Sequence, residues 1–79
     1  MPTGSDPSPN FFAVTPSDTA GFSVMVRAIY IGGDGNVVVV SPNGTAVTFV
    51  GAKAGSVIPV NAIRVNATDT TATNIVGLI

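Results

Sequence analysis

The chain has 79 residues and a net charge of −1, with three basic and four acidic residues and no Cys, His or Trp. Disulfides are therefore excluded, a zinc site lacks its usual ligands, and the basic residues are too few to neutralise a nucleic-acid backbone. No His is present to act as a base beside a Ser or Thr nucleophile, so we expect no enzymatic activity and no metal or cofactor.

The composition favours a β-protein that associates with copies of itself. The chain contains 13 Val, six Ile and nine Thr but a single Leu, and β-branched residues prefer strands. A domain of this size buries little surface, and without Cys or zinc ligands oligomerisation is the remaining way to stabilise it. The charged fraction of 9% and the mean hydropathy of +0.55 fit a surface that other subunits cover. We therefore expect a homo-oligomer.

The apolar runs of the sequence are short and are interrupted by Gly, Pro, Ser or Thr. None approaches the length of a membrane span, so we expect no membrane partner. The first residues, MPTGSDPSPN, lack the basic and apolar regions of a signal peptide, which predicts synthesis in the cytoplasm.

Residues 1–10 contain three Pro, one Gly and two Ser, a composition that disfavours both helix and ladder pairing. We predict an extended Pro-rich arm there, either a free tail or a segment that orders on a neighbouring subunit, followed by a single β-domain over residues 11–79. Adjacent strand residues point to opposite sides, so we expect one of Phe11 and Phe12 in the core and the other against a neighbour. The candidate interface residues of this region are Pro7, Pro9, Phe11 and Phe12.

Strand and turn patterns alternate along the rest of the chain. The run 22–31 has two apolar faces, which predicts a central strand covered on both sides. Three Gly in residues 32–36 and the pair Asn43-Gly44 predict hairpin turns, and Pro59 is expected at an edge or a bulge. With no helical periodicity, the sequence predicts an all-β fold, a small antiparallel β-sandwich or barrel of six or seven strands. The predicted strands are 11–14, 22–31, 37–41, 45–50, 56–66 and 74–79.

Two Arg residues, Arg27 and Arg64, fall within the long predicted strands. A charged side chain in an apolar strand needs a partner or a path to solvent. Each Arg therefore either points outward from the sheet or forms an ion pair across a subunit boundary, with Asp18 or Asp69 as the acid. Both Arg residues join the candidate interface residues.

Four stretches of the sequence resemble a known family. They are DPSPNFFAVTPSD (6–18), VRAIYIG (26–32), GSVIPVNAIRVN (55–66) and TATNIVGL (71–78). Together they resemble the small head-spike base proteins of tailed phages and of the gene transfer agents (GTAs) of alphaproteobacteria. The resemblance covers residues 6–78 and implies a virion structural protein.

The resemblance further implies a position on the outer surface of the head, with the major capsid protein as a partner and a spike or fibre protein above. A ring at the fivefold vertices favours a pentamer, in particles assembled in the host cytoplasm. A trimeric capsid decoration (cement) protein at threefold positions is the alternative of the same class. A carbohydrate-binding module is the alternative of another class. Such modules display aromatic platforms, whereas this chain has no Trp and one Tyr, Tyr30.

Overall fold

β-branched residues form a large share of the strand positions in the computed structural model, which describes residues 10–79. The predicted arm, with Pro7 and Pro9, therefore lies outside the described residues except for Asn10. In chain order the strands are β1 (Phe11–Ala13), β2 (Ala28–Ile31), β3 (Gly35–Val40), β4 (Ala46–Ala52), β5 (Ser56–Ile58), β6 (Arg64–Asn66) and β7 (Val76–Leu78).

The strands form two antiparallel sheets that share one core. The first sheet has four strands in the order β1-β7-β2-β5, and the second has three in the order β4-β3-β6. The two sheets stay separate instead of closing on each other, so the fold is a sandwich and not a barrel. The predictions of an all-β fold and of an antiparallel arrangement are confirmed.

Alternation along the strands places one face of each sheet inside. Ile29 and Ile31 of the first sheet and Val37 and Val39 of the second are at most 4% exposed and belong to a single cluster. Burial of one such side chain contributes about 1.5–3 kcal/mol, so the interleaved aliphatic residues account for the cohesion of the layers. The other buried members of the cluster are Val14, Val26, Ala62, Val65, Ala72 and Ile75.

The four consecutive Val of β3 are all buried. Val37 and Val39 face the core, so Val38 and Val40 lie on the opposite side of this central strand. The register places the polar residues of β6 beside them, and the backbone N–H of Val38 donates to Thr70 Oγ1 at 3.0 Å. The strand that is buried on both faces is thus β3.

The prediction of one strand over 22–31 is wrong in its first half. Only Ala28–Ile31 pair within a sheet, because the preceding segment crosses between the layers. The N–H of Phe22 donates to the carbonyl of Ile63 at 2.7 Å, and Val26 forms an isolated bridge with Ala62. A crossing segment can have the same apolar pattern as a strand without being buried throughout: Val26 is buried here, whereas Val24 and Met25 are 46% and 49% exposed.

The predicted strand 56–66 is in fact two strands, β5 and β6, which lie in different sheets. Pro59 follows the last residue of β5, an edge strand, in agreement with the expected edge position. The N–H of Val60 donates to the carbonyl of Ile58 at 3.0 Å, which closes a tight turn around Pro59. This turn redirects the chain to the other layer.

One of the two predicted hairpin turns is wrong. Residues 32–36 do not join paired strands, since β2 and β3 belong to different sheets. Gly33 instead bridges to Thr73, and a Cβ at the preceding residue Gly32 would lie 2.5 Å from the carbonyl oxygen of Asn74, so Gly is required there by close backbone approach. The turn at Asn43-Gly44 does join β3 to β4, with the N–H of Ser41 donating to the carbonyl of Thr45 at 2.8 Å.

A β-bulge bends the end of β4. Between the register pairs Gly35↔Ala52 and Val37↔Phe49, β3 has one residue, Asn36, and β4 has two. The second of these, Gly51, has φ +71° and donates its N–H to Asn36 Oδ1 at 3.0 Å.

Candidate assembly surfaces

The outward side of the four-stranded sheet is apolar and carries no charged side chain. Because Ile29 points into the core, the alternate residues of β2 and their register partners point outward. Phe11 is 70% exposed and Val57 is 47% exposed. A contiguous apolar surface of this kind marks an interaction site. We call this surface the outer face, and its residues are Phe11, Ala13, Ala28, Tyr30, Val57, Val76 and Leu78.

A second apolar surface lies beside β4, an edge strand of the three-stranded sheet. Val47 and Phe49 are register partners of core residues of β3, yet Val47 is 52% exposed and Phe49 is half-buried. They border an open groove of about 160 Å³. We call it the β4 groove, and it is lined by Val39, Ser41, Thr45, Val47, Phe49, Val60 and Asn61.

The free edge of β4 adds backbone groups to this surface. The strand has seven residues and contains neither a charged residue nor Pro, the usual means of blocking edge pairing. The bulge at Gly51 interrupts the regular strand geometry and so shortens the part of β4 that another strand could pair with. A partner that covers the β4 groove would therefore also meet unprotected strand backbone.

The two adjacent Phe residues point to opposite sides, as predicted. Phe12 packs against the core with its ring 5.3 Å from that of Phe22, at an interplanar angle of 74°. Phe11 lies on the outer face. Of the two candidates, Phe12 serves packing within the chain, and contact between Phe11 and a neighbour stays a prediction.

Arg64 is half-buried and has a partner within its own chain, because its Nε donates to Asn66 Oδ1 at 2.8 Å. Arg27 is also half-buried, and its backbone N–H donates to the carbonyl of Leu78 at 2.9 Å, beside the outer face. An ion pair of either Arg across a subunit boundary stays a prediction.

Asp18, one of the proposed acid partners, is held within the chain. Its carboxylate accepts hydrogen bonds from the hydroxyl of Thr68 at 2.6 Å and from the Thr68 N–H at 2.9 Å. The pKa of Asp18 lies below its usual 3.8. The hydrogen bond from the Thr68 hydroxyl lowers it most, followed by the bond from the Thr68 N–H, and the charge of Arg64 lowers it to a smaller extent. These bonds join the segment before β2 to the loop after β6.

Within residues 10–79, no three acidic side chains come together to form a metal-binding group. The same part of the chain contains no helix of the length and hydrophobicity needed to span a membrane. The outer face and the β4 groove are two features of the described surface that could bind another molecule.

Comparison with known proteins identifies a relative among solved structures. No protein-family model matches the chain, and no curated protein sequence matches it significantly. A chain of the structure described as "Capsid of native GTA particle computed with C5 symmetry" is 33% identical and superposes with a TM-score of 0.87. The alignment covers 100% of this chain and 92% of that chain. The chain belongs to the family of this GTA capsid component.

The family is thus that of a structural component of a GTA capsid particle. The resemblance indicated by the sequence is confirmed at that level, for the particle and for the capsid.

Most residues of the two surfaces were not among the sequence candidates. The alternation of apolar residues around Tyr30 was present in the sequence, but it was interpreted as a strand covered on both sides. The same pattern arises when one side meets the core and the other meets another subunit. For the β4 groove no local signal exists, because Val47 and Val60 come together only through the turn at Pro59.

Proposed function

We propose that the chain forms the base of a head spike on the outer surface of the capsid, as a ring at the vertices in contact with the major capsid protein. The observation that carries the proposal is the full-length similarity to a chain of a GTA capsid. That structure was computed with C5 symmetry, which supports a fivefold position and a ring of five subunits. The four sequence stretches that resemble spike base proteins support the assignment to the spike.

The two apolar surfaces support assembly into a ring. A cyclic ring needs a heterologous contact, in which one patch of a subunit meets a different patch of the next. The outer face and the β4 groove differ in shape, and neither has a charged side chain. Both remain exposed in the single chain, where apolar surface is costly.

The charged side chains support a defined orientation of the subunit. Asp34 lies in the link between β2 and β3, and Lys53 lies in the link between β4 and β5. The N–H of Ala54 donates to Asp34 Oδ1 at 2.6 Å, so the two links meet at the same end of the sandwich. The β3–β4 turn lies at the other end, where Val40 is in register with Arg64, so the two ends of the subunit carry different charged side chains.

We also propose that this role is structural and not enzymatic. The sequence supports this, since it contains no His or Cys and its acidic residues are four Asp. The test is turnover of candidate glycans by assembled particles, where any release of sugar that depends on this chain would contradict the proposal.

The position on the capsid can be tested with particles that lack the chain. Purified chain is added to them, and the bound density is located by electron cryo-microscopy. We expect density at the fivefold vertices and a native mass near five times 7.9 kDa for the ring. Density at threefold positions from a trimer would instead identify a decoration protein. Particles that acquire no density would contradict any role on the capsid surface.

A further inference from the structure

We propose that Phe11 of one copy inserts into the β4 groove of the next copy, and that this contact, repeated around the ring, joins the subunits. The proposal rests on the ring assembly proposed above and names the residues that hold it together. It assigns different tasks to the two apolar surfaces, since Phe11 projects from one and the groove receives it at the other.

The groove has the size and polarity of a site for one phenyl ring. Its volume of about 160 Å³ is close to that of an apolar protein cavity that accommodates benzene, about 150 Å³. Val47 and Val60 give it aliphatic walls, and Phe49 adds an aromatic wall that can pair edge to face with an incoming ring. An apolar aromatic side chain is therefore the occupant that fits.

Phe11 is a suitable group to fill it. The side chain is 70% exposed, more than Tyr30 or Val57 on the same face. Its backbone belongs to β1, which pairs with β7, so the ring is presented on a strand that the sheet holds in place. Insertion thus orders one aromatic side chain and no additional backbone, which keeps the entropic cost small.

The topology places the two elements where neighbours in a ring would need them. Phe11 is on β1, and one wall of the groove is formed by Val60 and Asn61, which closely follow β5. Strands β1 and β5 are the two opposite edges of the four-stranded sheet. Across the sheet, Phe11 is in register with Leu78 and Ala28. The next residue of β2, Ile29, pairs with Ile58 near the end of β5. Phe11 and Val60 therefore lie at the same end of the sheet. Because Phe11 and the groove lie at the same height on opposite sides of the subunit, Phe11 of one copy can reach the groove of the next copy in a cyclic ring.

The contact can be tested by photo-crosslinking from position 11. The variant Phe11→4-azidophenylalanine keeps the aromatic ring, and assembled copies with light and heavy nitrogen isotopes reveal which crosslinks join different chains. We expect intermolecular crosslinks from position 11 to residues 45–49 and 60–61. Crosslinks from position 11 that map to other surfaces would overturn the proposal while the ring itself stands.

Matched substitutions give a second, independent test. Val47→Asp places a carboxylate in the groove, whereas Val50→Asp makes the same change at a residue that is 78% exposed and does not line the groove. We expect Phe11→Ala and Val47→Asp to weaken self-association at least tenfold and Val50→Asp to change it less than twofold. Circular dichroism melts verify that each variant is folded. Equal effects of Val47→Asp and Val50→Asp would overturn the proposal.

The two proposals fail in different ways. If the unmodified chain neither self-associates nor binds particles, the proposed function is wrong. If it forms rings on particles and the Phe11→Ala variant forms them equally well, only the assigned contact is wrong. Because the contact has no charges, the mass of the oligomer should be the same in low and high salt.

Discussion

At the scale of single residues, Asp18 links two distant parts of the chain by an interaction that depends on pH. Thr68 donates two hydrogen bonds to its carboxylate, and they lower the pKa of Asp18. A carboxyl whose pKa is lower in the folded than in the unfolded chain adds stability when it is ionised. That stability is complete above about pH 4 and disappears as the pH falls through the lowered value.

We expect Asp18→Asn to lower the thermal midpoint at pH 7 and to have a smaller effect at pH 3, because below the ordinary pKa the carboxyl of the unfolded chain is protonated and part of the stabilisation is lost. The measurement is the thermal midpoint of both proteins from pH 2.5 to 7. Thr68→Val, which removes the hydroxyl donor, should produce the same trend. A difference between wild type and Asp18→Asn that does not change with pH would contradict the assignment.

At the scale of elements, the bulge in β4 depends on the backbone of Gly51. Its φ of +71° lies in the left-handed region, and no atom lies within 4 Å of a Cβ built there. We expect Gly51→Ala to cost about 1–2 kcal/mol, the penalty of placing an L side chain in that conformation, with no added clash. Chemical denaturation of the monomeric chain measures the change in unfolding free energy.

Gly32→Ala is the comparison for this prediction. At Gly32 a Cβ would lie 2.5 Å from the carbonyl oxygen of Asn74, so the cost should exceed that of Gly51→Ala. If Gly32→Ala proved less destabilising than Gly51→Ala, close backbone approach would not be what requires Gly at position 32.

The sequence predicts elements of this fold where the signal is local. The Asn43-Gly44 turn carries its own geometry, and the hairpin of β3 and β4 was found from it. The three Gly of residues 32–36 also indicate a hairpin turn in the sequence. In the structure they instead leave space for a segment that is distant in sequence. Residues 22–27 and 59–63 are largely apolar and link the two layers, and periodicity cannot separate such crossings from strands.

The candidate site was predicted only in part for the same reason. Exposure of one residue of the pair Phe11 and Phe12 follows from strand alternation alone, and the structure assigns Phe11 to the surface. The β4 groove depends on how far the four-stranded sheet extends beneath Val47, which is a property of two packed layers. The absence of His and Cys, by contrast, is evident from composition alone.

At the scale of the whole molecule, the Pro-rich segment and the β-domain are expected to have separable roles. The described hydrogen bonds begin with Asn10, whose carbonyl accepts from the N–H of Ile79 at 2.9 Å. We expect deletion of residues 2–9, which keeps this bond, to leave the thermal midpoint within about 2 °C of the wild-type value. The same deletion should weaken binding to capsid particles, as expected for an arm that orders on a neighbour.

Two assays on the deleted chain separate these roles. Calorimetry reports the thermal midpoint, and co-sedimentation with particles reports attachment. Full attachment by the deleted chain would contradict the arm hypothesis. A large fall in the thermal midpoint would show that residues 2–9 contribute to the fold of the β-domain itself.

The pairing of β1 with β7 has a consequence for biosynthesis. Among the described strands, β1 pairs with β7 alone, so it gains this neighbour when residues 76–78 have been synthesised, and β7 also separates β1 from β2. Until then Phe11 is not held against a sheet, and the outer face does not exist as a surface. The order of translation itself therefore delays any contact through that face until β7 has been made.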